Sequence, residues 1–467
     1  MKEPMPDNHL SRADTFTIHL EQDPLLRSTI VAVAVLDRAP NWQRFSRTME
    51  RATCLEPNFR RRLTPGSGPL LPARWTDDPN FDLSWHLRRM AVAGSGELSE
   101  VLEFARIAGM TAFDPARPRW EFTVLEGLTD GRAALVMKVH HALTDGIGGI
   151  QLAQHVVDLD RRGSRRPVVP EPPPGATNDL VERATDAVAY DVGQVAAITR
   201  GLVGSIPDAV RGWVRRPLSV WGDVGKLVGS VARFVRPVTT TLSPVMTDRR
   251  LGWRYRLLEV PLPALKAAAA AAGGTLNDGF LAGIAGGLAC YHLTHGSTVE
   301  ELRVTMPISI RTPSDAPGGN HVTLVRFTVP LGDLHPISRM IAIDHSTKAL
   351  RHEPAIGWSE AIAGALNLLP TAVAAGMLKH VDVLASNVPG FDQAVYLGGA
   401  RLDGFYAFGP TMGASANVTL MSYRKKCFIG ITTDTGAIAD DEFFAECIEA
   451  GFAELLAIGQ NGETPRR

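Results

Sequence analysis

Cysteine, net charge and long apolar runs are all scarce in this chain. Four cysteines in 467 residues, Cys54, Cys290, Cys427 and Cys447, stand far apart with no CxxC pair. Neither a zinc knuckle nor a disulfide scaffold is indicated by such spacing. Lys plus Arg number 48 against 49 Asp plus Glu, a formal net charge of −1. A dedicated nucleic-acid binder carries a basic excess or patch, so no nucleic-acid partner is expected. The most apolar long window, 361–378, has Asn367 and Pro370 near its centre. It falls short of the about 20 apolar residues of a spanning helix. It reads as a buried helix pair broken at Pro370, and the alternative is a surface that touches lipid. The opening residues, MKEPMPDNHLSRAD, show no apolar h-region, so no signal peptide is expected and the default location is cytoplasmic. Three catalytic signatures are missing as well: GxSxG, GxxxxGK[ST] and HExxH. Their absence removes support for an elbow-type serine hydrolase, a P-loop NTPase and a zincin. Gly66-Ser67-Gly68 and Gly94-Ser95-Gly96 lack the third glycine of a dinucleotide loop and read as turns.

What is present suits a large core. Hydrophobic residues make up 45% and charged residues 21%, a globular balance that at about 150 residues per domain predicts two to three domains. Residues 28–37 read as a strand in which Val31, Val33 and Val35 alternate with Ala32 and Ala34. Residues 98–110 read as a helix. Residues 132–140 form a compact apolar run, a buried strand that breaks at His140-His141 and gives way to a glycine loop and a helix over 150–159. The stretch 161–176 is a Pro- and Arg-rich linker. From 177 to 245 the sequence is apolar and helical in character with no recognisable chemistry, a crossover or mobile element. Beyond it, strands are expected at 255–261, 302–310, 322–329 and 428–433, and helices at 265–272, from Thr275 through Tyr291, and at 441–456. The organisation so read is a first half over 1–165, a linker over 166–250 and a second half over 251–467, in mixed α/β layers.

The segment with chemistry is 139–149, VHHALTDGIGG. Neighbouring strand side chains point to opposite faces, so His140 and His141 cannot both face one small ligand. One packs or orients the loop while the other projects into a cleft. An imidazole titrates near neutrality and suits a general base. The same geometry stands against a metal site built from His140, His141 and Asp145, and no metal is expected. Asp145 reads as a structural holder of the loop, and Gly146 with Gly148-Gly149 allows tight backbone geometry.

HHxxxDG is the signature of the CoA-dependent acyltransferase superfamily, and further segments narrow the resemblance. Leu10-Ser11-Arg12-Ala13-Asp14 resembles an opening LSxxD. Arg117-Pro118-Arg119-Trp120-Glu121 stands where PLWE is usual, and Leu276-Asn277-Asp278 resembles an Asn-Asp motif. Met306-Pro307-Ile308-Ser309-Ile310-Arg311, followed by Gly319-Asn320, resembles P-x-S-x-R…GN. Ser386-Asn387-Val388-Pro389-Gly390 matches SNVPG. Order and rough spacing hold from residue 10 to about 456, so the chain is similar to the bacterial wax ester synthase/diacylglycerol acyltransferase family. It departs from that pattern at Pro24-Leu25-Leu26-Arg27-Ser28, where a PMHVG-like stretch is usual, and at Arg119, where Leu is usual.

The resemblance implies two α/β halves like chloramphenicol acetyltransferase with a tunnel between them. It implies direct acyl transfer from acyl-CoA, a substrate rather than a cofactor, to the hydroxyl of diacylglycerol, forming triacylglycerol. It makes His141 the base and His140 a packing or orienting residue, with Asp145 and Gly146 in the supporting loop. Asn277 becomes the oxyanion donor, while Asp278 also fits a helix capping box with Thr275. Arg311 would pair with Asp145 or a CoA phosphate, and Ser386 and Asn387 would line the site. Alternatives on the same fold are wax ester synthesis on a long-chain alcohol, acylation of another small alcohol, or a non-catalytic lipid-binding module. The lipid partners imply peripheral contact with a membrane or lipid-droplet surface.

Overall fold

The computed structural model of the chain describes residues 9–64, 73–144, 146–163, 238, 240–309, 322–332, 334–351, 362–363, 366–367, 370–376 and 378–461. Asp145, Arg311 and most of the expected 166–250 linker lie outside the described residues. In chain order the elements are α1 (Arg12–Leu20), β1 (Thr29–Leu36), α2 (Trp42–Leu55), β2 (Arg61–Thr64), β3 (Arg74–Asp77), α3 (Leu83–His86), β4 (Leu87–Ala91), α4 (Leu98–Met110), β5 (Trp120–Glu126), β6 (Ala133–His140) and α5 (Gly146–Val156). There follow β7 (Trp253–Pro261), α6 (Leu262–Ala271), α7 (Leu276–Thr294), β8 (Glu301–Ser309), β9 (Val322–Pro330), α8 (Pro336–Arg351), α9 (Thr371–Gly376), β10 (Val383–Pro389), β11 (Tyr396–Leu397), β12 (Ala400–Phe408), β13 (Ala416–Tyr423), β14 (Lys426–Asp434) and α10 (Asp441–Asn461).

Local chemistry sets these boundaries. Asn41 caps α2 by accepting the Arg44 N–H, and a Glu97–Glu100 capping box opens α4. A Thr275–Asp278 box opens α7, satisfying N–H groups that a helix start leaves without partners. β1 is alternating, with bulky valines on one face and alanines on the other. Val31 and Val33 are fully buried, and Val31 meets α4 at Gly109.

The strands assemble into two six-stranded sheets and a small two-stranded one. The first large sheet runs β11-β12-β1-β6-β5-β4 and the second β7-β14-β13-β10-β8-β9. Mixed α/β layers in two halves are therefore what the chain forms. The division along the sequence is less clean than 1–165 and 251–467 suggested. β12, from the second half, pairs antiparallel with β1 in the first sheet, Val31 opposite Phe408 and Val35 opposite Gly404. One edge of β12 thus takes a partner far away in sequence, while the other pairs with the nearby β11. A hydrophobic pattern marks a strand but does not name the sheet that takes it.

Two large core clusters form, and the first draws residues from both halves of the sequence. One cluster gathers Val31, Val33, Val101, Trp120, Val124 and Phe408, and the other Leu265, Phe280, Ile284, Ile429, Phe444 and Phe452. Within the 361–378 window, α9 begins just after Pro370 and packs Ala374 and Ala375 against Leu20 and Leu26. Among the described residues no helix is long and apolar enough to cross a membrane.

Candidate active site

β6 lies at the centre of the first sheet, between β1 and β5, and its alternation sorts the two histidines. Met137, Val139 and His141 share one face, while Lys138 and His140 share the other. The first group lines an internal cavity of about 350 Å³. His140 is 1% exposed on the opposite side of the sheet. The two adjacent histidines thus have separate surroundings, as the strand geometry requires.

Behind the sheet, His140 belongs to a closed polar network. The Ala142 N–H donates to His140 Nδ1 at 3.0 Å, which leaves the Nε2 proton for Glu21 Oε1 at 2.8 Å. Glu21, the residue that ends α1, also accepts the Ser28 N–H at 2.8 Å and the Ser28 hydroxyl. Its second oxygen takes Arg119 Nη1 at 3.2 Å. Burial would raise the Glu21 carboxyl, but the hydrogen bonds from His140 and Ser28 outweigh it and hold the group down at about 2. The network reaches the His141 loop twice. Ser28 O accepts the His141 N–H at 3.0 Å, and His140 O accepts the Leu143 N–H at 2.9 Å. A fixed carboxylate therefore braces both ends of the turn that presents His141.

Both departures from the usual family pattern fall in this brace. Ser28 closes the Pro24–Ser28 stretch, and Arg119 is the ion-pair partner of Glu21. Lys138, on the same face as His140, pairs with Glu121 at 3.2 Å and lies over the Phe113 ring.

The cavity itself is bounded by both sheets and by α2 and α5. From the first sheet come Ala32, Ala34, Met137 and Val139, and from the helices Met49, Ala52, Gly149 and Ala153. From the second sheet come Leu384, Ser386 and Val388 of β10, in register with Asn417, Thr419 and Met421 of β13. The surroundings are mostly apolar, with a few polar groups among them, the usual composition of a site for an apolar ligand. Thr419 Oγ1 donates to Asn417 Oδ1 at 2.9 Å, and Asn417 Nδ2 donates to Pro410 O at 2.8 Å. At the α2–α5 end stands Glu56, whose carboxyl is pushed up by burial, 3.6 Å from His155 Nε2.

Among the residues singled out in the sequence, His141, Ser386 and Asn387 line this cavity together. Gly146 opens α5, the helix that contributes Gly149 to the lining. Asn277 is not among the lining residues, and its amide donates to Met306 Sδ at 3.3 Å. Asp278 is 2% exposed, binds the Thr275 N–H and hydroxyl and accepts the Thr347 hydroxyl. It serves the helix start rather than the cavity. Sequence reasoning missed Glu21, Asn417 and Thr419. The alternation of ANVTLMSY in β13 was a usable signal, since it places Asn417, Thr419 and Met421 on one face. Glu21 gave none. Among the described residues no group of three His, Cys, Asp or Glu side chains is placed to hold a metal ion.

An imidazole that lines a mostly apolar cavity together with hydroxyl and amide groups has the chemistry to take a proton from an alcohol and to stabilise an oxyanion. Comparison with known proteins gives this arrangement a context. Residues 10–280 match the wax ester synthase/diacylglycerol acyltransferase catalytic domain, and residues 318–456 the WS/DGAT C-terminal domain. A protein of Mycobacterium tuberculosis H37Rv that carries the name diacylglycerol O-acyltransferase is 35% identical over 99% of this chain and 94% of its own length. Another so named from the same strain is 30% identical over 86% and 88%. The solved wax ester synthase/diacylglycerol acyltransferase from Marinobacter aquaeolei VT8 superimposes with a TM-score of 0.62 at 19% identity, covering 97% of this chain and 100% of that one. The first condensation domain of the calcium-dependent antibiotic synthetase shares the fold at 14% identity, with a TM-score of 0.62 over 97% and 96%.

Proposed function

Because the chain belongs to the wax ester synthase/diacylglycerol acyltransferase family and is an O-acyltransferase, we propose that it moves a long-chain acyl group from acyl-CoA to the hydroxyl of diacylglycerol, with His141 as general base. Triacylglycerol and free CoA are the products. One observation carries the reading. His141 follows the central strand on its cavity side, while the polar network of Glu21, Ser28 and His140 holds its turn from behind.

The acceptor hydroxyl gives its proton to the His141 ring as its oxygen attacks the thioester carbonyl. The carbonyl oxygen takes up the negative charge. Collapse of the tetrahedral species breaks the C–S bond, and the imidazolium returns the proton to the departing CoA sulfur. A base of this kind contributes about 10²–10⁴-fold. The oxyanion needs a donor aimed into the cavity. Ser386 meets that requirement better than Asn277, whose amide is spent on Met306. The alanines of β1 leave room for an acyl chain, and the polar groups of β10 and β13 lie on the acceptor's wall.

The test is purified protein with labelled acyl-CoA and either diacylglycerol or hexadecanol. We expect acceptor-dependent CoA release with triacylglycerol as the product, lost in His141→Ala. A preference for hexadecanol would move the assignment to wax ester synthesis. CoA release without an acceptor would make the protein a thioesterase, and no turnover at all would leave a lipid-binding module. Diacylglycerol resides in bilayers and droplets, so the protein is proposed to meet such surfaces peripherally. It should float with diacylglycerol-containing vesicles, and recovery only in the vesicle-free fraction would reject that contact.

A further inference from the structure

Outside the cavity lining, two of the four dispersed cysteines meet. Cys290 lies on α7 and Cys447 on α10, 157 residues apart in sequence, and their Sγ atoms stand 2.7 Å apart. Two sulfurs in ordinary contact keep well over 3 Å, while a disulfide closes to about 2.05 Å. This pair lies between those limits and needs only a small further approach to bond.

The approach has a cause in the sequence. α7 reads LNDGFLAGIAGGLACYHLT, and Gly283, Gly286 and Gly287 face α10. A Cβ at Gly287 would come 2.5 Å from Ile448 Cα, and one at Gly451 would fall against the backbone of Gly283 and Gly287. The two helix backbones are therefore in direct contact, with no room for a side chain between them at these positions. One turn further along, the same contact brings Cys290 and Cys447 together.

We propose that Cys290 and Cys447 form a modification site, oxidised by a small-molecule disulfide to an intramolecular bond that ties α7 to α10. The pair is unequal in the way such a reaction needs. Cys290 is partly exposed and Cys447 buried. The Cys290 thiolate attacks the reagent disulfide, forming a mixed disulfide and expelling one thiolate. Cys447, deprotonated, then attacks the Cys290 sulfur and expels the second. Two protein thiols are oxidised and one reagent disulfide is reduced to two thiols. Burial, with help from Cys290 itself and the nearby acids Glu446 and Asp440, pushes the Cys447 thiol up to about 12. Closure is consequently slow at neutral pH and faster in mild alkali. Cys54 and Cys427 are buried on α2 and β14.

The experiment incubates the full chain with oxidised glutathione at pH 7 and pH 9, blocks remaining thiols with N-ethylmaleimide in denaturant, and maps peptides without reduction. The expected product is a single Cys290–Cys447 cross-linked peptide that appears faster at the higher pH, with Cys54 and Cys427 alkylated. Closing a long loop should also raise the thermal midpoint by about 5 °C, reversed by dithiothreitol. In Cys447→Ser, glutathione should remain as a stable adduct on Cys290. Four alkylated cysteines, a different cross-link, or a persistent glutathione adduct on the wild-type chain would overturn the proposal.

Discussion

The two large sheets share one cavity but support it by opposite means. Behind the first sheet the backing is polar: Glu21, Ser28, Arg119 and His140 form a buried network whose hydrogen bonds end on the His141 turn. Behind the second sheet the α7–α10 contact is close and mostly apolar, glycines of α7 against α10. Buried polar networks are costly unless complete, but they fix a unique geometry. Close apolar packing gives stability and leaves orientation to shape. The first half is thus built to aim one side chain, and the second to hold a wall in place. The comparison predicts that damage to the first half shows in turnover and damage to the second in melting.

The sharpest break is His141→Ala. It should lower kcat by about 10²–10⁴-fold with the thermal midpoint unchanged, since the ring lines a cavity rather than filling the core. Comparable catalytic loss with collapse of the fold would defeat the contrast. Next comes Glu21→Ala, which leaves His140 and Arg119 buried without their carboxylate. It should cost about 2–4 kcal/mol of stability and reduce kcat in the protein that remains folded, with KM nearly unchanged.

The milder Glu21→Gln tests the charge. The folded carboxyl sits at about 2 against an ordinary value of 4.5, so it stabilises the protein above pH 4.5 and loses that contribution as the pH falls toward 2. Urea titrations between those limits should show a shallower decline for the variant than for the wild type. On the other side, Gly287→Ala should destabilise by about 1–3 kcal/mol, because the added methyl meets Ile448 backbone rather than a movable side chain. The specific activity of the folded fraction should be unaltered. Ser386→Ala should lower kcat about 10²-fold with little change in melting. Smallest of all, Ala34→Leu should leave kcat for short acyl-CoA intact and shift preference toward it, as read in a chain-length series.

Much of this was legible in the sequence wherever the determinant was local. The helix 98–110 coincides with α4, and the run that breaks at His140-His141 coincides with the end of β6. Periodicity and a glycine loop suffice for both. The division of labour between the two histidines follows from strand alternation alone. Distant pairings were hidden. Glu21 and His140 are 119 residues apart, and nothing in the local pattern of HLEQDP marks its glutamate as the base of a network. Cys290 and Cys447 meet only because helix packing brings them together. Asn277 shows the reverse limit. A motif located the residue, but the direction of its amide is a matter of tertiary packing, and that packing turns it to Met306.

The insertion of β12 beside β1 also has a consequence for how the protein is made. β1 leaves the ribosome hundreds of residues before the neighbour that covers one of its edges, residues 400–408. Throughout that interval the nascent first half carries an open row of backbone donors and acceptors. Expressing residues 1–165 by themselves would make that transient exposure permanent.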